Sequence, residues 1–312
     1  MAGTITRVST CARRLAQAGI KASGVTLSWS TSLAPIAQSL ERTNFHGRTV
    51  NLRGGVGVAA GSVMAAIETG RLLRGASASR SSAPRSGSRV RIAAVFATTA
   101  GGCAGLIDDL DAGAHDGDAP VKGLKGHLTA LARGCVTTGV LKIAVIGSGA
   151  LVGGVLLARD RSAAAGGRAL AASAVDAATG AVVIASWANL LNLLDLRPGR
   201  ALKTATIVST PLLATPGHGG EPTRLLAAGA LGISLSALPE DLLENTMLGD
   251  TGANAVGALL GTALACHPSR AVRAGAALSG VGLILASEKV SFSRVIANTP
   301  ALAALDGLGR RP

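Results

Sequence analysis

Residues 103–127 read CAGLIDDLDAGAHDGDAPVKGLKGH, an apolar run that enters three carboxylates, Asp108, Asp109 and Asp111, with no polar transition before them. Such a junction is the signature of a helix leaving hydrocarbon for water, and a continuing helix places Asp108 and Asp111 on one face at i, i+3. Working outward, comparable apolar runs recur at 24–40, 54–69, 91–107, 128–157, 169–191, 202–215, 225–240, 251–266 and 271–287, about nine candidate spans. The fold class this predicts is all-α, a polytopic membrane helix bundle of about nine transmembrane helices. It forms one integral membrane domain over 1–312. Three segments stand apart by composition: a basic N-terminal segment 1–23, an Arg/Ser-rich loop 71–91 and a polar tail 288–312. A cleaved signal peptide is an alternative for the first run, but Ser and Thr interrupt it, so a weakly hydrophobic first span is the preferred reading.

Composition supports a lipid-embedded chain. The 312 residues carry 30 Lys+Arg against 17 Asp+Glu, a net charge of +13, yet only 15% are charged and mean hydropathy is +0.44. A water-soluble all-α core would need charged outer faces that this sequence lacks. Aromatics are 2% of the chain, with no Tyr, too few to stack nucleic-acid bases despite the basic balance. The four cysteines, Cys11, Cys103, Cys135 and Cys266, have no zinc-like spacing and no disulfide framework is read from them.

Each span reverses the side of the membrane, so nine crossings put 41–53, 109–127, 195–203, 241–250 and 288–312 on one face. Most acidic residues lie there: Asp108, Asp109, Asp111, Asp116, Asp118, Asp195, Glu240, Asp241, Glu244 and Asp250. Asp176 is the intramembrane exception. Chemistry is expected on that acidic face.

Two further segments carry it. In 187–203, WANLLNLLDLRPGRALK, Asn189, Asn192 and Asp195 recur every third residue and present two amides and a carboxylate on one helical face. Ordinary interhelical hydrogen bonding is the alternative. In 244–261, ENTMLGDTGANAVGALLG, Gly249 and Gly252 flank Asp250 and Thr251 just before an apolar helix. A tight turn there would offer backbone N–H groups to a phosphate while Asp250 holds its metal; a plain N-cap is the alternative.

The aspartate pair Asp108/Asp109, the stripe Asn189-x-x-Asn192-x-x-Asp195 and the Gly249-Asp250-Thr251-Gly252 turn, in this order, resemble the polyprenyl-phosphate N-acetylhexosamine-1-phosphate transferase family, which includes phospho-N-acetylmuramoyl-pentapeptide transferase. The resemblance runs from about 41 to 287. Residues 44–58 (NFHGRTVNLRGGVGV) are similar to a basic loop ending in Gly-Gly, and Lys122, Gly123 and Leu124 to a Lys-Gly-Leu after the aspartates.

The resemblance implies a membrane enzyme that moves a sugar-1-phosphate from a UDP-sugar to a polyprenyl phosphate with Mg²⁺, releasing UMP, in cell-envelope polysaccharide biosynthesis. It implies catalytic Asp108, Asp109 and Asp250; Mg²⁺ held by Asp250, Asp109 and Asp195; and substrate contacts from Asn189, Asn192, Asp195, Lys122, Lys125, Gly249, Thr251 and Gly252. Polyprenyl phosphate, the UDP-sugar and membrane lipid are then its partners, without nucleic acid, and a homodimer is compatible with such a bundle. The site would face the cytoplasm of the cell membrane, against a bias of about 12 Lys and Arg on that face and about 16 on the other.

The chain departs from the family pattern. Pro198 stands where an acid is expected after Asp195, no histidine follows His267, and the C-terminus is short of a tenth span. Lys289, Ser291 and Arg294 are candidates for the missing donor contacts. Of the remaining polar residues, His46 is read as a surface residue ahead of a phosphate ligand, His115 and His127 as solvated, and His218 as part of a Pro/Gly turn. Lys142 either neutralises phosphate or snorkels. Two other readings remain: a non-catalytic relative that binds a lipid-linked precursor or an envelope-assembly partner, and a small-ion transporter.

Overall fold

The computed structural model describes residues 40–78 except 45, 86–111 and 137–310 except 168, together with Thr6 and a few positions between 126 and 134. The run 24–40 up to residue 39, the segment 1–23 apart from Thr6, and Lys122, Lys125, His115, His127, Asp116 and Asp118 lie outside the described residues.

Glu41–Thr43 (β1) and Thr49–Asn51 (β2) form an antiparallel hairpin in the register Glu41 to Asn51. Helices follow: Arg53–Ala78 (α1), Ser86–Asp111 (α2), Thr138–Ala164 (α3), Leu170–Leu194 (α4), Arg200–Leu212 (α5), Glu221–Leu242 (α6), Gly249–Ala265 (α7), Arg270–Ser287 (α8), Phe292–Asn298 (α9) and Pro300–Gly307 (α10). The all-α reading holds apart from that small hairpin.

The count of about nine spans is not confirmed. Among the described residues five stretches are long and apolar enough to cross a membrane: Arg53–Arg74, Gly87–Asp111, Thr138–Ala164, Leu170–Leu194 and His218–Leu242. A sixth is reached if α8 and α9, bent by 97° at their junction, count as one. The run 202–215 becomes α5, whose 13 residues extend about 20 Å at 1.5 Å each, short of a hydrocarbon core of about 30 Å. The run 251–266 becomes α7, where 16 of the 17 residues are buried by protein. Its apolarity serves helix packing instead of lipid contact. The segment read as a loop over 71–91 is helical up to Ala78 and again from Ser86, and the tail read over 288–312 contains α9 and α10.

Helix α7 is the hub. It packs on α1, α2, α4 and α6, while α2 packs on α3 and α3 on α4 around it. Small residues make this possible, since without a solvent-driven force between lipid-embedded helices, close backbone approach supplies the attraction. A Cβ on Gly257 would lie 2.6 Å from the Trp187 carbonyl oxygen, and one on Gly261 would lie 2.9 Å from Ile184 Cα. The α4/α7 seam is therefore a backbone-to-backbone contact. The packed interior is aliphatic, with Leu190, Leu191, Leu225, Leu226, Ile233, Leu259 and Leu260 buried.

Polar pairs finish the two ends. At one, Asp176 on α4 accepts from Arg161 Nε (2.7 Å) and Arg273 (3.1 Å), which neutralises the carboxylate expected within the membrane. At the other, the described parts of the expected co-facial segments meet. Arg42 of the hairpin donates to the Asp109 carbonyl, Asn44 to Glu244, Gly199 N to Asp241 (2.6 Å), and Arg200 to Asp306 (2.8 Å).

Candidate active site at the acidic end

The site is organised by the buried N-terminus of α7. Gly249 turns the chain with φ +57°, and a Cβ there would sit 2.9 Å from Asp109 Oδ2, so the residue must be glycine on conformational and steric grounds. The first amides of the helix are then met by carboxylates from three other segments. Leu248 N–H donates to Asp241 and Gly249 N–H to Asp195. Asp109 accepts from Asp250 N (3.1 Å), Thr251 N (2.9 Å) and Thr251 Oγ1 (2.6 Å). Orphan N–H groups and the positive end of the helix dipole favour anions here, and the protein supplies its own.

Three sequence expectations change as a result. The N–H groups of Gly249 and Thr251 expected to receive a phosphate are already occupied, because this helix end is enclosed by protein rather than open to a ligand. Gly252 is a packing residue against Gly55, where a Cβ would come within 2.8 Å of the Gly55 Cα. Asp109, expected as a catalytic and metal-binding carboxylate, acts as the cap of α7 through both of its oxygens.

Asp250 projects away from this cap. Lys142, one turn into α3, pairs with its Oδ2 and lies 3.5 Å from Asp108 Oδ2. Asn192 of α4 completes the group, its amide nitrogen 2.7 Å from Asp250 Oδ1 and its oxygen 2.8 Å from Lys142 Nζ in the orientation that satisfies both partners. Asn254, one turn further along α7, donates to the Asp250 carbonyl (2.8 Å). Side chains from α2, α3 and α4 thus converge on one carboxylate of α7. Asn189 is half-buried one turn earlier on α4 and is not among the residues bonded to Asp250.

Asp195 is buried at 6% exposure, and its Oδ2 has no hydrogen-bond partner. It lines a cavity of about 30 Å³, room for about one water, with Arg197, Pro198, Asp241, Glu244 and Met247. Glu244 closes that cavity towards the hairpin. Burial works against its charge, but the hydrogen bond from Asn44 and the charges of His46 and Arg48 hold its carboxyl below the usual range. His46 Nδ1 is 2.9 Å from Glu244 Oε1, so this histidine lies at the surface, as read from the sequence, and braces the hairpin there. Of the residues considered for the donor, Lys289 and Arg294 are exposed and Ser291 caps α9.

Among the described residues no group of three or more His, Cys, Asp or Glu is placed to hold a metal ion. Magnesium is commonly held by only one or two carboxylates together with substrate phosphates. Asp108 and Asp250, all-oxygen ligands already bridged by one cation, meet that requirement.

Sequence reasoning missed Lys142 as the partner of Asp250, the capping role of Asp109 and Asp241, and the link between Arg200 and Asp306. No local sequence signal marks the first, since Lys142 and Asp250 are 108 positions apart. No family model, no curated protein and no solved structure matches this chain.

Proposed function

We propose that the chain is a Mg²⁺-dependent transferase of the cell membrane that moves a sugar-1-phosphate from a UDP-sugar to a polyprenyl phosphate in cell-envelope polysaccharide synthesis. The observation that carries this reading is the convergence of Asp108, Lys142 and Asn192 on Asp250 at one end of an apolar bundle, where a lipid-borne phosphate and a nucleotide can meet. In the reaction, an oxygen of the lipid phosphate attacks the β-phosphorus of the donor. A new P–O–P link forms, the bond to the α-phosphate breaks, and UMP leaves with the electron pair. When bound to Asp250 and Asp108, Mg²⁺ would supply charge neutralisation of the diphosphate.

The chain's own residues do the rest. Asn192 and Lys142 fix the Asp250 carboxylate, and the Lys142 ammonium is within reach to turn from Asp108 to an incoming phosphate. Asp109 holds the helix end from which Asp250 projects and is a positioning residue. A phosphate monoester is already largely ionised near neutral pH, so Asp108 orients the acceptor more than it deprotonates it.

Release of UMP by the purified protein, with polyprenyl phosphate, Mg²⁺ and a panel of UDP-sugars, tests this. Asp250→Asn should lower the rate by about 100-fold or more and Asp108→Asn by less. Equal rates in the wild type and both variants overturn the scheme.

One observation favours a second reading. The Lys142 ammonium already bridges the two carboxylates, as it would in a non-catalytic relative that binds a polyprenyl-phosphate-linked precursor. Retained binding of polyprenyl phosphate with no UMP from any donor selects that reading.

A further inference from the structure

Immediately after Asp195 the chain presents Arg197, Arg200 and, one turn into α5, Lys203. The C-terminal hairpin of α9 and α10 folds back onto them and adds Arg310. Asp306 of α10 receives a bidentate fork from Arg200, Nε to Oδ1 at 2.8 Å and a terminal nitrogen to Oδ2 at 3.0 Å, and a third bond from Arg310 at 2.7 Å. Lys203 Nζ holds the carbonyls of Leu305 (3.1 Å) and Asp306 (2.8 Å), and Arg310 Nε holds the Pro198 carbonyl (2.9 Å). Arg197 lies within electrostatic reach of Arg200, Arg310 and Asp306. The carboxylates facing this cluster are Asp306 and, acting on Lys203, Asp241.

Two features argue that this clasp can be released. Neither α9 nor α10 buries a single residue, and Val295, Leu302, Leu305 and Leu308 are exposed, so the hairpin is held by ion pairs and carbonyl contacts with little apolar packing. The root is different: Phe292 packs against the core, which leaves the bent α8/α9 junction as a hinge. Arg200 also holds the Asp306 carboxylate in the planar two-point geometry with which arginine grips phosphate. The cluster borders the candidate site, since Arg197 lines the same cavity as the partnerless oxygen of Asp195.

We propose that Arg197, Arg200, Lys203 and Arg310 form a phosphate-binding subsite in which Asp306 of the tail stands in for the ligand, so that a phosphate-bearing compound and the α9/α10 hairpin compete for the same cations. The subsite needs no transfer chemistry. Only its assignment to the diphosphate of a nucleotide donor rests on the transferase reading.

The full chain in phosphatidylcholine nanodiscs, digested lightly with trypsin, tests the competition. Cleavage after Arg294, inside α9, requires that helix to open. Sodium pyrophosphate or UDP should speed this cut at least fivefold over sodium chloride of equal ionic strength. The Asp306→Asn variant should be cut rapidly without ligand and bind pyrophosphate about tenfold more tightly, because an internal competitor has been removed. Lys203→Gln should weaken that binding. Nanodiscs containing phosphatidylglycerol separate a lipid headgroup from a free phosphate as the source: release by the lipid alone assigns the headgroup, and release by pyrophosphate alone the soluble ligand.

If neither phosphate source changes the wild-type cleavage rate, the clasp is a fixed structural contact and the subsite is overturned, whatever the variants do. Tail release without UMP formation upholds the subsite and counts against the transferase, while UMP formation with an unresponsive tail does the reverse.

Discussion

Asp109 shows how one side chain can look catalytic in sequence and be structural in space. Its two oxygens take three donors from Asp250 and Thr251, so Asp109→Ala removes the cap of the central helix and should lower stability by about 1–2 kcal/mol, read as a fall in the thermal midpoint in detergent. Gly249→Ala should cost about 1–3 kcal/mol through its positive φ and the clash with Asp109. Both variants should reduce binding of polyprenyl phosphate only as far as they unfold the protein, whereas Asp250→Asn should change stability by less than about 1 kcal/mol.

The types of residue at this site were legible in the sequence because adjacent carboxylates and a three-residue stripe of amides are costly in hydrocarbon without a purpose. Their partnerships were not. Lys142 reaches Asp250 across 108 positions, and nothing local distinguishes it from a lysine snorkelling to a headgroup.

Individual elements follow the hydropathy pattern closely, but their relation to the bilayer does not. The runs at 54–69, 91–107, 169–191 and 225–240 all became helices at the expected places. Hydropathy reports removal from water and is blind to whether lipid or protein does the removing. Helix α7 therefore reads as a span whether lipid or, as here, protein covers its faces, and α5 is short for one. The glycines separate the two kinds of helix face. Gly257→Val should drive the Trp187 carbonyl away and destabilise the bundle by about 1–3 kcal/mol, while Gly282→Ala on α8, with nothing within 4 Å, should be neutral or stabilising by up to about 1 kcal/mol. Thermal unfolding of the pair measures the contrast directly, and equal effects would refute the close α4/α7 seam.

At the scale of the whole molecule, the charged side chains of the described residues are sorted to two ends of the bundle. Single cysteines introduced at His46 and at Ser162, in a chain whose own cysteines have been replaced, should therefore react with a membrane-impermeant maleimide from opposite sides of a sealed vesicle. Labelling of both from one side would mean that the apolar helices do not cross as their lengths suggest.

The acidic end should also be sensitive to acid. Burial opposes the charge of both Glu244 and Asp306, but hydrogen bonds and neighbouring cations hold each carboxyl below its ordinary value. A depressed folded-state value contributes stability that is present above the unfolded value and lost as pH falls through the folded one. Hydrogen-exchange protection over 41–51 and 292–307 should therefore hold at pH 6 and fall below about pH 4, ahead of the aliphatic interior.

The central position of α7 bears on the order in which the chain is made. Its neighbours α1, α2, α4 and α6 all precede it, so a ribosome delivers the surrounding helices before the helix that fills the space between them. Until residue 265 has emerged, the earlier helices have small-residue seams with nothing to fit them, and Asp109, Asp195 and Asp241 face no helix end. A nascent chain stopped before Gly249 keeps the α1/α2, α2/α3 and α3/α4 packing but lacks its central helix, and should be cut by protease faster than the complete chain. The cooperative step of assembly comes late, when one short glycine-spaced helix satisfies packing and charge at once.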